Sequence, residues 1–346
     1  MKRIGIAIIG TGLMGSIHAQ VCAENADAKL VGVADISETR AREIARRYGA
    51  KGYTDYHELL RRPDVDAAIV ATPDDLHKEP VLAACDRGLD ILLEKPIATS
   101  LADADAIIDA VKKAHVKLML GFTLRFDANY VKVKQAIESG VLGKIIWSYA
   151  RRNAIIAEAE RHATHTTPTF YCAIHDIDVI SWYVKDTVRE VYATSARGKI
   201  YEKYGVPDFT WILTKFQNGA VGSIESGWGL NNNFASYQKP EEWWPLGGDI
   251  KLEVVGTEGS TYVDIFPSQT YAVDNQGWKY VVVDYVGSPY YGRIRGARAE
   301  EDAHFIRCVA QDIEPIVTGE DGRIALEVVL AANDSIRSGQ PKRLPA

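Results

Sequence analysis

A short aliphatic run, Ile4-Gly5-Ile6-Ala7-Ile8-Ile9, passes directly into Gly10-Thr11-Gly12-Leu13-Met14-Gly15, and a helical pattern follows to about Glu24. No other feature narrows the fold as far. A glycine at the first of these positions permits a tight turn, the second lets backbone approach a ligand, and the third lets the helix pack closely on the strand. The helix N-terminus then offers unpaired N–H groups to an anion. An acidic residue, Asp35, ends the next strand candidate, twenty residues after Gly15. A carboxylate there accepts hydrogen bonds from ribose hydroxyls and repels a 2′-phosphate. Gly10, Thr11, Gly12, Leu13, Met14, Gly15 and Asp35 therefore predict a dinucleotide site that favours NAD. Arg40 keeps NADP as the alternative, because a guanidinium folding back can hold a 2′-phosphate.

The pattern continues as βαβ units. Strand candidates Ile4-Ile9, Leu30-Ala34, Ala67-Ala71, Ile91-Leu93 and Leu118-Leu120 alternate with helical patterns at Met14-Glu24, Glu38-Tyr48, Leu76-Arg87 and Leu101-Ala114. Ser37, Gly49, Gly88 and Ser100 supply turn and cap signals. This is a parallel sheet covered by helices. Ligands of such sheets bind at the carboxyl ends of the strands, which adds Thr72, Pro73, Asp74 and His77 after one strand, and Glu94 and Lys95 after another. An acidic–basic pair between an apolar strand and Pro96 is not what packing alone selects.

At 346 residues the chain exceeds one ordinary domain. The sequence divides into a Rossmann domain over 1–121 and a second α/β domain over 122–346, whose last helix, near 325–338, packs at the junction. The second part is strand-rich, with candidates at Lys144-Ala150, Val188-Ala196, Thr210-Phe216, Ala220-Ser226, Ile250-Val255, Thr261-Ile265 and Tyr280-Val283. A formal charge of −6 without a sustained Lys/Arg block gives nucleic acid no electrostatic footprint. No apolar run approaches the roughly 20 residues of a membrane helix. Cys22, Cys85, Cys172 and Cys308 are far apart and form no CxxC pair, which suits a reducing, cytoplasmic compartment.

The segments GTGLMG, ATPDDLH, EKPIATS, GFTLRFDANY and IHDID, with LEVVGTEGS and DGRIALEVVLAANDSIRSG later, occur in this order across nearly the whole chain. In them the sequence resembles the Gfo/Idh/MocA oxidoreductases. The resemblance implies a Rossmann domain followed by an α/β domain with a large, predominantly antiparallel open sheet, commonly an oligomer interface, hence a homodimer or homotetramer. It implies hydride transfer between a nicotinamide cofactor and a ring carbinol of a sugar, inositol or other polyol. By resemblance Lys95 contacts nicotinamide and substrate, and His175 stands at the usual catalytic histidine. Two other functions fit the same family: a lyase or glycosidase that recycles the hydride on tightly held NAD, and a non-catalytic sensor.

Tyr171, His175, Asp178 and Trp182 fall on one helical stripe, with Ala173, Ile177, Ile180 and Val184 almost opposite as the core face, which leaves His175 to look into a cleft. Family dehydrogenases commonly carry an aspartate one turn before this histidine. This chain has Tyr171, expected to bind or polarise the reacting oxygen while His175 takes the proton. Asp176 and Asp178 lack the further ligands a metal site needs, so no metal is expected. Further substrate candidates are Arg125, Arg152, His165, with preference over His162, and Asp176. The aromatic segments 228–248 and 284–298, with Trp243-Trp244 and Tyr290-Tyr291, suit either sugar faces or packing.

Overall fold

The structure, a computed structural model, describes residues 3–232, 248–265, 271–274, 277–280 and 289–345. The first stretch runs β1 (Ile4–Ile9), α1 (Leu13–Glu24), β2 (Ala28–Ala34), α2 (Glu38–Tyr48), β3 (Lys51–Tyr53), α3 (Tyr56–Leu60), β4 (Ala67–Val70), α4 (Lys78–Asp86), β5 (Asp90–Leu93), α5 (Leu101–Ala114) and β6 (Leu118–Leu120). The second runs α6 (Ala128–Glu138), β7 (Ile145–Ile155), α7 (Ile156–His162), α8 (Ile174–Val184), β8 (Val188–Ala196), α9 (Lys199–Tyr204), β9 (Phe209–Phe216), β10 (Val221–Leu230), β11 (Gly248–Gly256) and β12 (Ser260–Asp264). The chain closes with β13 (Tyr271–Asp274), β14 (Gly277–Tyr280), β15 (Pro289–Tyr290), β16 (Arg293–Ile294), α10 (Ala297–Gln311), α11 (Gly319–Ser338) and β17 (Lys342–Arg343). Two compact units result: Met1–Asp127 with Val286–Leu326, and Ala128–Tyr285 with Glu327–Ala346.

In the first unit the strands lie in the order β3-β2-β1-β4-β5-β6, all parallel. Ile6, Ala7, Ile8, Ala68, Ile69, Ile91 and Leu92 are wholly buried, the continuous aliphatic run that a sheet covered on both faces demands. The strand order reverses between β1 and β4, the switch point at which such sheets bind ligands. Local signals act as read: Ser37 Oγ accepts the Arg40 N–H, Ser100 Oγ accepts the Asp103 N–H, and Gly49 closes α2 at φ 67°. A single break near 121 does not describe this unit, because residues 286–326 return to it. The cause is α10, which packs on α1 and buries Phe305, Ile306, Glu301 and Asp302. A capping box at Thr318 and Asp321 starts α11 earlier than its apolar pattern indicates.

The second unit holds a seven-stranded sheet in the order β12-β11-β7-β10-β9-β8-β17. Every pairing is antiparallel except β7 with β10. One face is buried through Ala150, Ile212, Ile224, Leu252 and Val254, and α8 lies over it, so close at Gly222 that an added Cβ would stand 3.1 Å from Ile180. On the opposite face Tyr192, Trp211, Leu213 and Tyr262 remain exposed. Residues 281–283 of the last strand candidate, and Trp243-Trp244 of the aromatic segment, lie outside the described residues. The four cysteines are buried free thiols. No helix among the described residues is long and apolar enough to cross a membrane.

Candidate cofactor and catalytic residues

The glycine loop has the geometry its spacing implies. Gly10 sits at φ +90°, and a Cβ there would lie 2.4 Å from the Ala71 carbonyl oxygen. A Cβ on Gly15 would lie 1.8 Å from the Gly10 oxygen, so the helix can approach only because that position is bare. At Gly12 nothing stands within 4 Å of the same added atom, and α1 opens with neither a side-chain cap nor an acidic residue in its first turn. These residues fit a pyrophosphate: open space lies before undischarged N–H groups and the positive end of a helix dipole. Leu13 is exposed and Met14 half-buried beside it.

Asp35 is held from four sides. Its Oδ2 accepts the Thr11 N–H and hydroxyl, both at 2.8 Å, and its Oδ1 accepts the Ser37 N–H and Arg40 Nη2, also at 2.8 Å. Burial opposes ionisation here, but the Arg40, Ser37 and Thr11 bonds outweigh it and hold the carboxyl below its usual range. Arg40 is thus tethered by the very carboxylate that disfavours a 2′-phosphate.

The two other strand ends divide into exposed and internal groups. Thr72 donates its hydroxyl to the Leu76 carbonyl, and Pro73 precedes a short 3₁₀ turn through Asp74. His77, read as a cofactor residue, is internal. It is 1% exposed, with Nδ1 2.7 Å from the Pro96 oxygen and Nε2 3.0 Å from the Thr72 oxygen, so it ties the two loops together. Glu94 is also internal. Its Oε1 lies 3.2 Å from His18 Nε2, whose Nδ1 lies 2.8 Å from Asp302 Oδ1, while Glu94 Oε2 accepts the Lys95 N–H at 3.2 Å. Burial would discharge His18, yet Asp302 and Glu94 raise it to about 10, and Glu94 falls to about 2 against its own burial because of His18, Arg298 and Lys95. Within 91–98 Lys95 alone is not buried. The sequence did not reveal His18 or Asp302, because 284 residues separate them.

Arg125, read as a substrate residue, is a structural ion pair: it is 5% exposed and its Nη2 donates to Asp321 Oδ1 at 3.0 Å.

In the second unit a π-helical turn, Thr169–Ala173, leads into α8 and carries Tyr171. Such turns are frequent at functional sites. From 171 to 180 only Tyr171 and His175 are not buried, so these two share the open side. Asp178, placed on the same stripe by helical spacing, is 2% exposed, so it does not share the open side with His175. Arg152 and Asp176, read as substrate contacts, form a buried pair with each other. Arg152 Nε and Nη2 donate to the two Asp176 oxygens at 2.9 and 2.8 Å, and Nη2 also reaches the Tyr130 hydroxyl at 2.9 Å. Burial pushes the Asp176 carboxyl up and Arg152 pulls it back. The pair bolts α8, and with it His175, to β7. His165 is exposed on the turn after α7, where its N–H meets the His162 carbonyl. The residue that sequence reasoning missed is Glu158, 5% exposed, whose Oε2 accepts the Tyr171 hydroxyl at 3.1 Å.

Comparison with known proteins gives the same picture. Residues 4–122 match the Gfo/Idh/MocA oxidoreductase family with its NAD-binding Rossmann fold, and residues 130–262 match the family's C-terminal domain. The chain is 32% identical to the Myo-inositol 2-dehydrogenase of Thermotoga maritima, over 98% of each chain. It is 31% identical to the scyllo-inositol 2-dehydrogenase (NAD(+)) of Bacillus subtilis, over 99% of this chain and 96% of the relative. A crystal structure of a probable dehydrogenase from Thermotoga maritima superposes with a TM-score of 0.83 at 29% identity, covering 98% of both chains. The chain belongs to the Gfo/Idh/MocA family of NAD-binding oxidoreductases.

Proposed function

We propose that this chain is an NAD-dependent dehydrogenase that oxidises a ring carbinol of an inositol or a similar polyol, with Lys95 and His175 handling the proton. One observation carries the assignment: Lys95 in 91–98 and His175 in 172–180 are each the one residue not fully buried in its segment, in a chain similar end to end to two inositol 2-dehydrogenases. The glycine loop, Asp35 and the strand-end residues Thr72, Pro73 and Asp74 hold the dinucleotide, which supplies the hydride acceptor when bound. Oxidation of the carbinol also releases the hydroxyl proton. His175 accepts it, since an imidazole with an unperturbed pKa of about 6.5 is largely neutral at pH 7. A cation such as Lys95 stabilises developing alkoxide character. The Glu94–His18–Asp302 row fixes the main chain at Lys95, and Arg152–Asp176 fixes the helix that carries His175.

The exposed Tyr192, Trp211, Leu213 and Tyr262 on one sheet face support a homodimer or homotetramer, which sedimentation would size. The activity is tested by following reduced cofactor with NAD⁺ and NADP⁺ against inositols, aldoses, uronates and anhydrosugars. One polyol should reduce NAD⁺, and Lys95→Ala and His175→Ala should each lower turnover about 10²-fold or more. Consumption of a glycoside with no net reduction would replace the proposal with hydride-recycling chemistry. Binding of NAD without turnover of anything in the panel would replace it with a sensor.

A further inference from the structure

The hydroxyl of Tyr171 has one proton, and the fold determines where it points. Glu158 is buried in the first turn of α7 and accepts that proton at Oε2, 3.1 Å away. Its other oxygen, Oε1, accepts Arg161 Nη1 at 3.2 Å. The Tyr171 ring is clamped as well, stacked on His162 with centroids 4.5 Å apart and edge-on to the buried Trp228 at 5.6 Å. Ring and hydroxyl are therefore both oriented, and whatever else the hydroxyl meets, it meets as an acceptor.

This bears on the chemistry, because the reacting oxygen of an alcohol also has one proton. If His175 takes that proton, Tyr171 cannot receive it too, and with its own proton on Glu158 it does not donate to that oxygen. An acceptor hydroxyl on the turn that leads into the His175 helix instead suits a second hydroxyl of the ligand. We propose that Glu158 is a positioning residue that sets Tyr171 as a hydrogen-bond acceptor for a hydroxyl neighbouring the oxidised carbon, and that this pair selects a vicinal polyol. The inference rests on the dehydrogenase reading above and refines it: Tyr171 becomes a specificity residue in place of a donor to the reacting oxygen. Burial holds the Glu158 carboxyl above its usual range, against the opposing pull of Arg161 and Tyr171.

Arg161 makes the idea testable, since a guanidinium can only donate. In Glu158→Gln the amide oxygen must stay with Arg161, which turns the amide NH₂ onto Tyr171 and reverses the direction of that bond. Tyr171 then directs its proton outward and repels a donor. Calorimetry would measure the Kd of the inositol in the presence of NADH, and of the matching ketone in the presence of NAD⁺. For Glu158→Gln the Kd of the inositol and that of the ketone should both rise about tenfold, the loss of one good hydrogen bond, because the ketone keeps the hydroxyl on the neighbouring carbon; a loss confined to the inositol would place Tyr171 on the reacting oxygen and overturn the proposal. Tyr171→Phe should weaken the inositol to a similar extent, and Glu158→Gln/Tyr171→Phe should be no worse than Tyr171→Phe alone. Adding Arg161→Met to Glu158→Gln frees the amide to turn its oxygen to Tyr171, and inositol affinity should recover; a merely structural role for Glu158 gives no such rescue.

An unchanged inositol Kd in Glu158→Gln, additive losses with Tyr171→Phe, or absence of rescue would overturn the assignment while leaving the dehydrogenase intact, provided Lys95→Ala and His175→Ala still abolish turnover. A wild-type protein that neither binds nor oxidises any polyol would remove the reading and this inference together.

Discussion

Replacing His18 by leucine should be among the most damaging single changes in the first unit, for reasons that can be worked through. His18 lies between two buried carboxylates, 2.8 Å from Asp302 Oδ1 and 3.2 Å from Glu94 Oε1, with 1% of its surface exposed. Leucine fills similar space but leaves Glu94 and Asp302 without their shared cation. Removing one partner of a buried pair costs about 3–5 kcal/mol. The rise of the imidazole from 6.5 to about 10 sets a ceiling of about 5 kcal/mol at 1.36 kcal/mol per unit. For a unit of this size each kcal/mol moves the melting temperature by about 2–4 °C, so the drop should be roughly 6–20 °C. The pH dependence is signed. A folded pKa above the unfolded one gives a contribution fully present below pH 6.5 and lost as pH rises towards about 10. Wild type and His18→Leu should therefore differ most near pH 6 and converge by pH 10, as followed by calorimetric melting. A gap under about 2 °C at pH 6, or one that does not narrow with rising pH, would show that His18 is not a buried cation and refute the reasoning.

Other outcomes follow from single distances. Gly15→Val should abolish NAD binding by calorimetry and lower stability, because even a Cβ would meet the Gly10 oxygen at 1.8 Å. Asp176→Asn should cost about 3 kcal/mol or more in urea unfolding by leaving Arg152 short of its counter-charge, and kcat should fall with it as the helix bearing His175 loosens. Asp35→Ser should narrow the preference for NAD⁺ over NADP⁺ at least about tenfold in kcat/KM, since it removes the repelling carboxylate and releases Arg40 to a 2′-phosphate; an unchanged ratio would take Asp35 out of cofactor selection.

Features that depend on short-range geometry were legible in the sequence. Gly10, Gly12 and Gly15 must be glycines wherever a strand turns into a helix against a pyrophosphate, and the resulting loop needed no knowledge of the rest of the chain. Ser37 and Ser100 mark helix starts by a bond spanning three residues. The period of two in β9 and β11 likewise predicts sheet faces without naming their neighbours. Lys95 and His175 stand out because their motifs are local, and each is the residue not fully buried in its segment.

What the sequence could not supply is pairing over distance. A glutamate in EKP reads as a strand-end charge, and only α10, arriving more than 200 residues later, makes it one end of a buried row through His18 to Asp302. Arg152 and Asp176 each look like cleft residues by type, yet helix α8 set down on β7 turns them towards each other. Asp178 shares the stripe of His175 by spacing yet is buried, because what packs on a helix face is decided by elements distant in sequence. Tyr171 stood out by its departure from the family pattern, but its meaning was undetermined until α7 placed Glu158 at its hydroxyl. By itself the sequence determined the family, the cofactor loop and the chemical types available. The tertiary structure decided which charges face ligand and which face each other, because a buried charge must find its partner wherever in the chain that partner lies.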